Sequence, residues 1–484
     1  MIASSAPSAL VSPRAARHLG LGAMFLALSC AYDSELPPDG SAGGAGTDSA
    51  GGADASFGGS RSGGAGAPGG SGGTDGGNDA GAGGGADEDP APCVPDETAP
   101  VPERTLPGIW QKVELPGTVC GNGTPYKFFV NYSSSSNNLM VNLEPGGACW
   151  DYGSCAGDGG LRGAANPDGI GDNHMSMLRW EFLPLNRRDP TNPIRDWNMV
   201  FLPYCTGDLH TGNRDATYEN PDPNGQPLVF RHRGHDNVQR VIEWLSLMFP
   251  SIPRLLVTGC SAGGTGSLVN YHFFRKGLPG AQCSYLLDDS GPIFPGSGNS
   301  GPLHAKVREA WNLDPLIDEV SADFTGVEPG AIREDLGLIN TALADKYPRD
   351  RLALVLYRLD FNYTLYSYER FHGNPSQADV HRLWWEDIQL QIEQYDTRRN
   401  LAYFIPYYRD DNCSHCLMIP PVDSGIVSIL AQPYRGTEIQ EHGLDARDFV
   451  ELLLDDAREL ESYLESEQPG EALSSERAAE CRAL

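Results

Sequence analysis

One serine stands where nucleophilic chemistry is expected. In RLLVTGCSAGGTGSLVN, Arg254 to Asn270, a branched apolar run stops at Gly259 and a helical pattern begins after Ser261. Gly259-Cys260-Ser261-Ala262-Gly263 fits a G-x-S-x-G turn between strand and helix, which lifts the serine hydroxyl off the sheet end. The competing reading is a tight turn without chemistry. A hydroxyl needs a base to take its proton, and the base needs an acid to orient it. In such sites the chain order is serine, acid, histidine.

The acid belongs at the end of a later strand. Asp360 ends LALVLYRLD and fills that place. Asp288 and Asp289 end the strand directly after the serine and are the alternatives, or else turn and helix caps. Four histidines follow Asp360. His372 and His381 lie in a polar helical region, and His442 precedes an acidic helix. His415 lies in DDNCSHCLM, a loop after the strand LAYFIPYY, and is the expected base. Cys413 and Cys416 could anchor that loop by disulfides. Cys-x-His-Cys matches no common structural zinc site, so no metal or other cofactor is expected. Acyl transfer also needs amides aimed at an oxyanion. The N–H of Ala262 is one candidate, and Gly146 and Gly147, after the strand NLMVNL, supply the others. Trp150, Tyr152, Tyr204 and Phe361 flank these positions and are candidate substrate contacts, or core.

These residues must be positioned by a sheet. Seven apolar runs, KFFVNY, NLMVNL, WNMVFLPYC, RLLVTG, CSYLLDD, LALVLYRLD and LAYFIPYY, end in turn residues. Runs apolar on both faces belong to a mostly parallel sheet covered by helices. NVQRVIEWLSLMF and GSLVNYHFFRK carry helical patterns between them, and Asp448 to Glu465 reads as an acidic amphipathic helix, with no strand after Leu444. The alternation predicts one α/β domain over residues 92–484. Residues 292–350, rich in loops and short helices, are either a cap over the strand ends or an ordinary connection.

The remainder of the chain leads into that domain. Arg14 and Arg17 precede LGLGAMFLALS, too short to span a bilayer and read with its flanks as an export signal over residues 1–30. Ser29 before Cys30 resembles a bacterial lipoprotein signal, which makes Cys30 a lipidation candidate and a lipid anchor the one membrane contact. Residues 31–91 are mostly Gly, Ala, Ser and Asp and read as a disordered tether. A formal charge of −29 argues against a nucleic-acid partner. Export permits disulfides among the ten cysteines besides Cys30. The spacing predicts Cys149–Cys155 and Cys413–Cys481, excludes Cys260–Cys283, and leaves some thiols free.

With these motifs placed, the chain resembles the pectin acetylesterase and Notum family of serine hydrolases. The matching residues are LEPGGACW (Leu143 to Trp150), PYCTGD (Pro203 to Asp208), GCSAGG (Gly259 to Gly264), DDSG (Asp288 to Gly291), YRLD ending at Asp360, and NCSHC (Asn412 to Cys416). Pro145 stands where a glycine is usual and Ala148 where a tryptophan is common. The resemblance implies an α/β-hydrolase-like fold, ester hydrolysis, and Ser261, Asp360 and His415 as catalytic residues with Gly146 and Gly147 in the oxyanion loop. The expected activity is deacetylation of a polysaccharide such as pectin by an exported, cell-surface or secreted esterase. A Notum-like deacylase of a longer acyl group is the alternative enzyme, and a non-catalytic surface binding module the alternative class.

Overall fold

Every one of the seven apolar runs becomes a strand of a single sheet. The computed structural model describes residues 90–157, 163–175, 184–409, 411–419 and 436–467. The expected export signal with Cys30, the expected tether as far as residue 89, and Cys481 lie outside the described residues. Ahead of the first run stands β1 (Trp110–Val119), an edge strand missed by the apolar pattern because most of its residues keep contact with solvent. The runs then supply β2 (Pro125–Asn131), β3 (Leu139–Leu143) and β4 (Asn198–Leu202). A separate antiparallel ribbon, β5 (Arg214–Tyr218) and β6 (Leu228–His232), precedes β7 (Ile252–Cys260), β8 (Ala281–Asp289), β9 (Arg351–Val355) and β10 (Leu401–Ile405).

The sheet order is β1-β2-β4-β3-β7-β8-β9-β10-β11, where β11 is Tyr463–Leu464. The β1/β2 and β2/β4 pairs are antiparallel and every later pair is parallel. This is the α/β-hydrolase-like arrangement expected. All residues of β3 and β4 are buried, as strands covered on both faces require. Register aligns the C-terminal ends: Leu143 pairs with Gly259, Cys260 with Asp289, Asp289 with Val355, and Val355 with Phe404. Loops leaving those ends therefore meet along one edge.

Nine helices connect the described strands: α1 (Tyr152–Ala156), α2 (Gly234–Met248), α3 (Ala262–Gly277), α4 (Gly301–Ala310), α5 (Asp314–Asp323), α6 (Ala331–Glu334), α7 (Leu338–Lys346), α8 (Gln377–Tyr395) and α9 (Ala446–Leu454). In α2 the helical pattern of NVQRVIEWLSLMF gathers one apolar face, with Val238, Val241, Ile242 and Leu245 buried, Met248 partly buried and Leu247 exposed. Residues 292–350 fold into α4 to α7, which with Thr265 and Val269 of α3 wall an apolar cavity.

The C-terminal reading is corrected. The predicted helix to Glu465 stops at Leu454, and β11 pairs parallel with β10 beyond it. The carbonyls of Leu452 and Leu453 accept from the Arg351 guanidinium and that of Leu454 from Arg254. Two arginines on the sheet thus take acceptors that further helical turns would need. The helix pattern alone could not reveal that.

The cysteines are more completely paired than expected. Cys93–Cys283, Cys120–Cys205, Cys149–Cys155 and Cys260–Cys416 are disulfides, and Cys413 is disulfide-bonded too. No free thiol remains among the described residues, a pattern that fits an oxidising, exported setting. Cys260 and Cys283 are indeed not joined, since they lie at opposite ends of neighbouring strands. No described helix is long and apolar enough to cross a membrane.

Candidate active site

The sharpest local distortion at the sheet edge is at Ser261, with φ 54° and ψ −119°. Such a backbone costs on the order of 1–3 kcal/mol in a non-glycine residue and persists only when its surroundings impose it. Here they do. A Cβ on Gly263 would lie 2.0 Å from the carbonyl oxygen of Leu143, and one on Gly259 would lie 2.4 Å from that of Gly263. Only glycines let β7 turn this tightly into α3 beside the end of β3. The Ser261 N–H donates to the Asp289 carbonyl at 2.7 Å, and its own carbonyl receives the Thr265 amide at 3.0 Å. Ser261 keeps part of its surface exposed among buried neighbours.

Asp360 and His415 come together from separate loops. Asp360 Oδ2 and His415 Nδ1 are 2.7 Å apart, with both side chains buried. Asp360 Oδ1 accepts the amides of Asn362 and Tyr363 at 2.8 and 2.7 Å. A carboxylate held by these donors is suited to accept from an Nδ1–H, and in that neutral tautomer Nε2 carries the lone pair. Nor is the histidine loop a relaxed turn, because Cys413, Ser414 and Cys416 all have positive φ. It is fastened at several points. The Arg409 amide donates to Ser414 Oγ at 2.8 Å, and Cys416 is bridged to Cys260 with Cα atoms 5.4 Å apart. That bridge links the residue before Ser261 to the residue after His415.

The end of β8, weighed as an alternative acid, serves the loop instead. Asp289 Oδ1 and Oδ2 accept the amides of Leu417 and Met418 at 2.8 and 2.9 Å, and Ser290 Oγ accepts that of Cys416 at 3.1 Å. Burial raises the Asp289 carboxyl to about 6, although these donors and the nearby His415 pull the other way. Asp288 is pushed up further by burial and by Asp289 beside it. Sequence reasoning missed this clasp. Its trace was DDSG, two acids and a hydroxyl ending a buried strand.

On the other side of Ser261 runs the loop after β3. Gly146 has φ 150° and a Cβ there would lie 2.5 Å from the Ala165 nitrogen; Gly147 has φ 80°. Leu143 pairs with Gly259, so this loop leaves the sheet alongside the elbow, as does Ala262 at the first position of α3. The buried Glu144 fixes the loop: its carboxylate accepts the Tyr204 amide at 2.8 Å and Asn166 Nδ2 at 2.7 Å, and meets His174 Nε2 at 3.0 Å. His210 Nε2 reaches the Glu144 carbonyl at 3.0 Å, and burial holds that imidazole down to about 4, hence neutral. The Trp311 indole, brought by α4, donates to the Cys149 carbonyl at 2.8 Å.

The four aromatic candidates differ in access. Tyr204 is fully buried with its ring 4.6 Å from that of His210, and Phe361 packs edge-on against His381. Trp150 is buried against Phe371. Tyr152 is partly exposed, its hydroxyl accepting from Asn220. Among the described residues two clusters have metal-like spacing, Cys260-His415-Cys416 and Cys149-Cys155-His232, but each pair of sulfurs is joined as a disulfide and offers no thiolate.

A strained serine on a strand–helix elbow, linked through the Cys260–Cys416 bridge to the loop of a buried carboxylate–imidazole pair, supplies the residue types that a nucleophile–base–acid site needs. Residues 108–313 match the family described as Pectinacetylesterase. The chain is 29% identical over 218 residues to pectin acetylesterase 4 of Arabidopsis thaliana, covering 43% of this chain and 50% of that one. It is 28% identical over 166 residues to the palmitoleoyl-protein carboxylesterase notum1a of Danio rerio, covering 33% and 30%. The solved structure of the Wnt deacylase Notum from Drosophila aligns over 63% of this chain and 86% of that one, at 20% identity and a TM-score of 0.42. Over residues 108–313 the chain is thus similar to the pectin acetylesterases, and more distantly in sequence to the Notum carboxylesterases. It spans half or less of the length of these sequence relatives, and the family match ends before Asp360 and His415.

Proposed function

We propose that the protein is an exported serine carboxylesterase that deacetylates a polysaccharide through an acyl-enzyme. The observation that carries this is the 2.7 Å Asp360–His415 pair, bridged through Cys416 to the residue preceding the strained, partly exposed Ser261. Ser261 Oγ adds to the ester carbonyl while His415 Nε2 takes its proton. The tetrahedral oxyanion is met by the amides of Ala262 and of Gly146 or Gly147. Collapse expels the alcohol, which recovers the proton from His415. Water then repeats the sequence on the acyl-enzyme, releasing the acid and Ser261. Asp360 holds the Nδ1–H tautomer and stabilises the imidazolium. Tyr152, with its partly exposed ring, is best placed of the four aromatics to meet a sugar.

Removal of a longer acyl group is a second reading with its own observation. The cavity between α3 and α4–α7 is apolar, lined by Leu303, Val307, Leu316, Ile317 and Ile339 among others. It begins at Thr265, one turn along α3 from Ser261. Each methylene buried there would contribute about 0.8 kcal/mol. A hydrolysis panel over acetylated polysaccharides and p-nitrophenyl esters of increasing length separates the two. Acetate esters are expected to be preferred; a rise in kcat/KM of about tenfold or more from acetyl to octanoyl would move the function to longer acyl groups. Failure of a fluorophosphonate to label Ser261 would remove both readings.

A further inference from the structure

The Asp360–His415 hydrogen bond orients the imidazole ring, but it does not set how far the ring stands from Ser261. That distance depends on where the loop backbone lies relative to the elbow, and one residue touches both. The Asp289 carbonyl accepts the Ser261 amide at 2.7 Å, while its carboxylate accepts Leu417 N–H and Met418 N–H. Ser290 adds the Cys416 amide, so three consecutive amides directly after His415 are taken by the end of β8. The Cys260–Cys416 bridge ties the same two segments covalently. A carboxylate buried this deeply costs stability unless it is well supplied with donors. An uncharged residue would end a buried strand at lower cost, so the charge is explained by what it holds.

We propose that Asp289 and the Cys260–Cys416 disulfide are positioning elements that set the His415 imidazole against Ser261, a role that rests on the hydrolase reading above. Neither is a catalytic residue: the Asp289 carboxylate is taken up by loop amides, and the bridged sulfurs carry no thiol. Asp289→Asn replaces one acceptor oxygen by an NH₂ group facing a backbone N–H, which must push the loop away. Displacements on the order of 1 Å cost up to about 10²-fold in rate.

The test compares variants of the full chain, assayed well below their unfolding midpoints with p-nitrophenyl acetate and a fluorophosphonate. Asp289→Asn and the double variant C260A/C416A are expected to lower kcat and the labelling rate of Ser261 by about 10- to 100-fold with KM little changed. Ser290→Ala, a mild change that keeps the fold, is expected to lower kcat by about 3-fold or more, within the same 10²-fold ceiling for displacement. The control is C93A/C283A, which opens a bridge at the opposite end of β8. It is expected to lower Tm yet keep kcat within about twofold. The positioning role is overturned if Asp289→Asn, Ser290→Ala and C260A/C416A all keep native kcat, or if the control loses kcat as they do. An unaltered protein whose Ser261 takes no label would instead sink the hydrolase reading. A labelled one, matched in rate by every variant, sinks only the positioning role.

Discussion

The nucleophile elbow and the histidine loop lie on one sheet edge, and they are held by opposite means. The elbow is a continuous strand–turn–helix whose strain is imposed locally, by Gly259 and Gly263 pressing β7 against β3. The loop lies 154 positions later in the chain (415 − 261) and follows a sheet strand three places across from β7. It carries three positive-φ residues and is secured at His415 to Met418 by long-range contacts from Asp360, Cys260, Ser290 and Asp289. On the proposed mechanism a nucleophile is thus built by a motif, whereas its base must be delivered by tertiary structure. The family match follows the same division, covering the elbow and stopping short of the loop.

The largest expected effect removes the elbow's hydroxyl. Ser261→Ala should lower kcat on acetate esters by about 10⁴-fold or more and abolish fluorophosphonate labelling. Residual turnover near the native level would put the nucleophile elsewhere. Next comes the acid on the loop's side. Asp360→Asn keeps the shape but presents the wrong tautomer to Nδ1, and should cost about 10³- to 10⁴-fold. A smaller loss than that from Asp289→Asn would reverse their roles, with Asp289 the orienting acid.

Gly263→Ala tests the local side by stability. The new methyl would collide with the Leu143 carbonyl, so a loss of about 1–3 kcal/mol or more is expected in urea unfolding. An unchanged midpoint would show that the elbow relaxes freely, and the contrast with the loop would fail.

The smallest expected effect lies in the cavity beyond the elbow. Burial lowers His304 to about 4 from 6.5. Between those values the unfolded chain binds a proton that the native chain does not, so stability is lost as pH falls from 6.5 towards 4. His232, held at about 4 by burial, acts in the same sense. His304→Leu should therefore lose less Tm than the unaltered protein between about pH 7 and about pH 4.5. Equal losses would mean that His304 is already charged in the native cavity.

Much of this protein could be read from its sequence because the relevant forces act over a few residues. Apolar runs ending in turn residues gave the seven sheet strands, since a strand buried on both faces must be apolar throughout. GCSAGG gave the elbow, because its glycines answer steric contacts within one turn and one neighbouring strand. The ends of LALVLYRLD and LAYFIPYY gave Asp360 and His415 as a pair by order alone. Tertiary structure decided what depends on partners distant in the chain. It assigned Asp289 to the loop amides when sequence allowed it to be an acid, joined Cys260 to Cys416, and stopped α9 at Leu454 by supplying Arg254 and Arg351 to its carbonyls. A residue's local pattern states which groups it offers, and only the fold determines which donors and acceptors arrive to meet them.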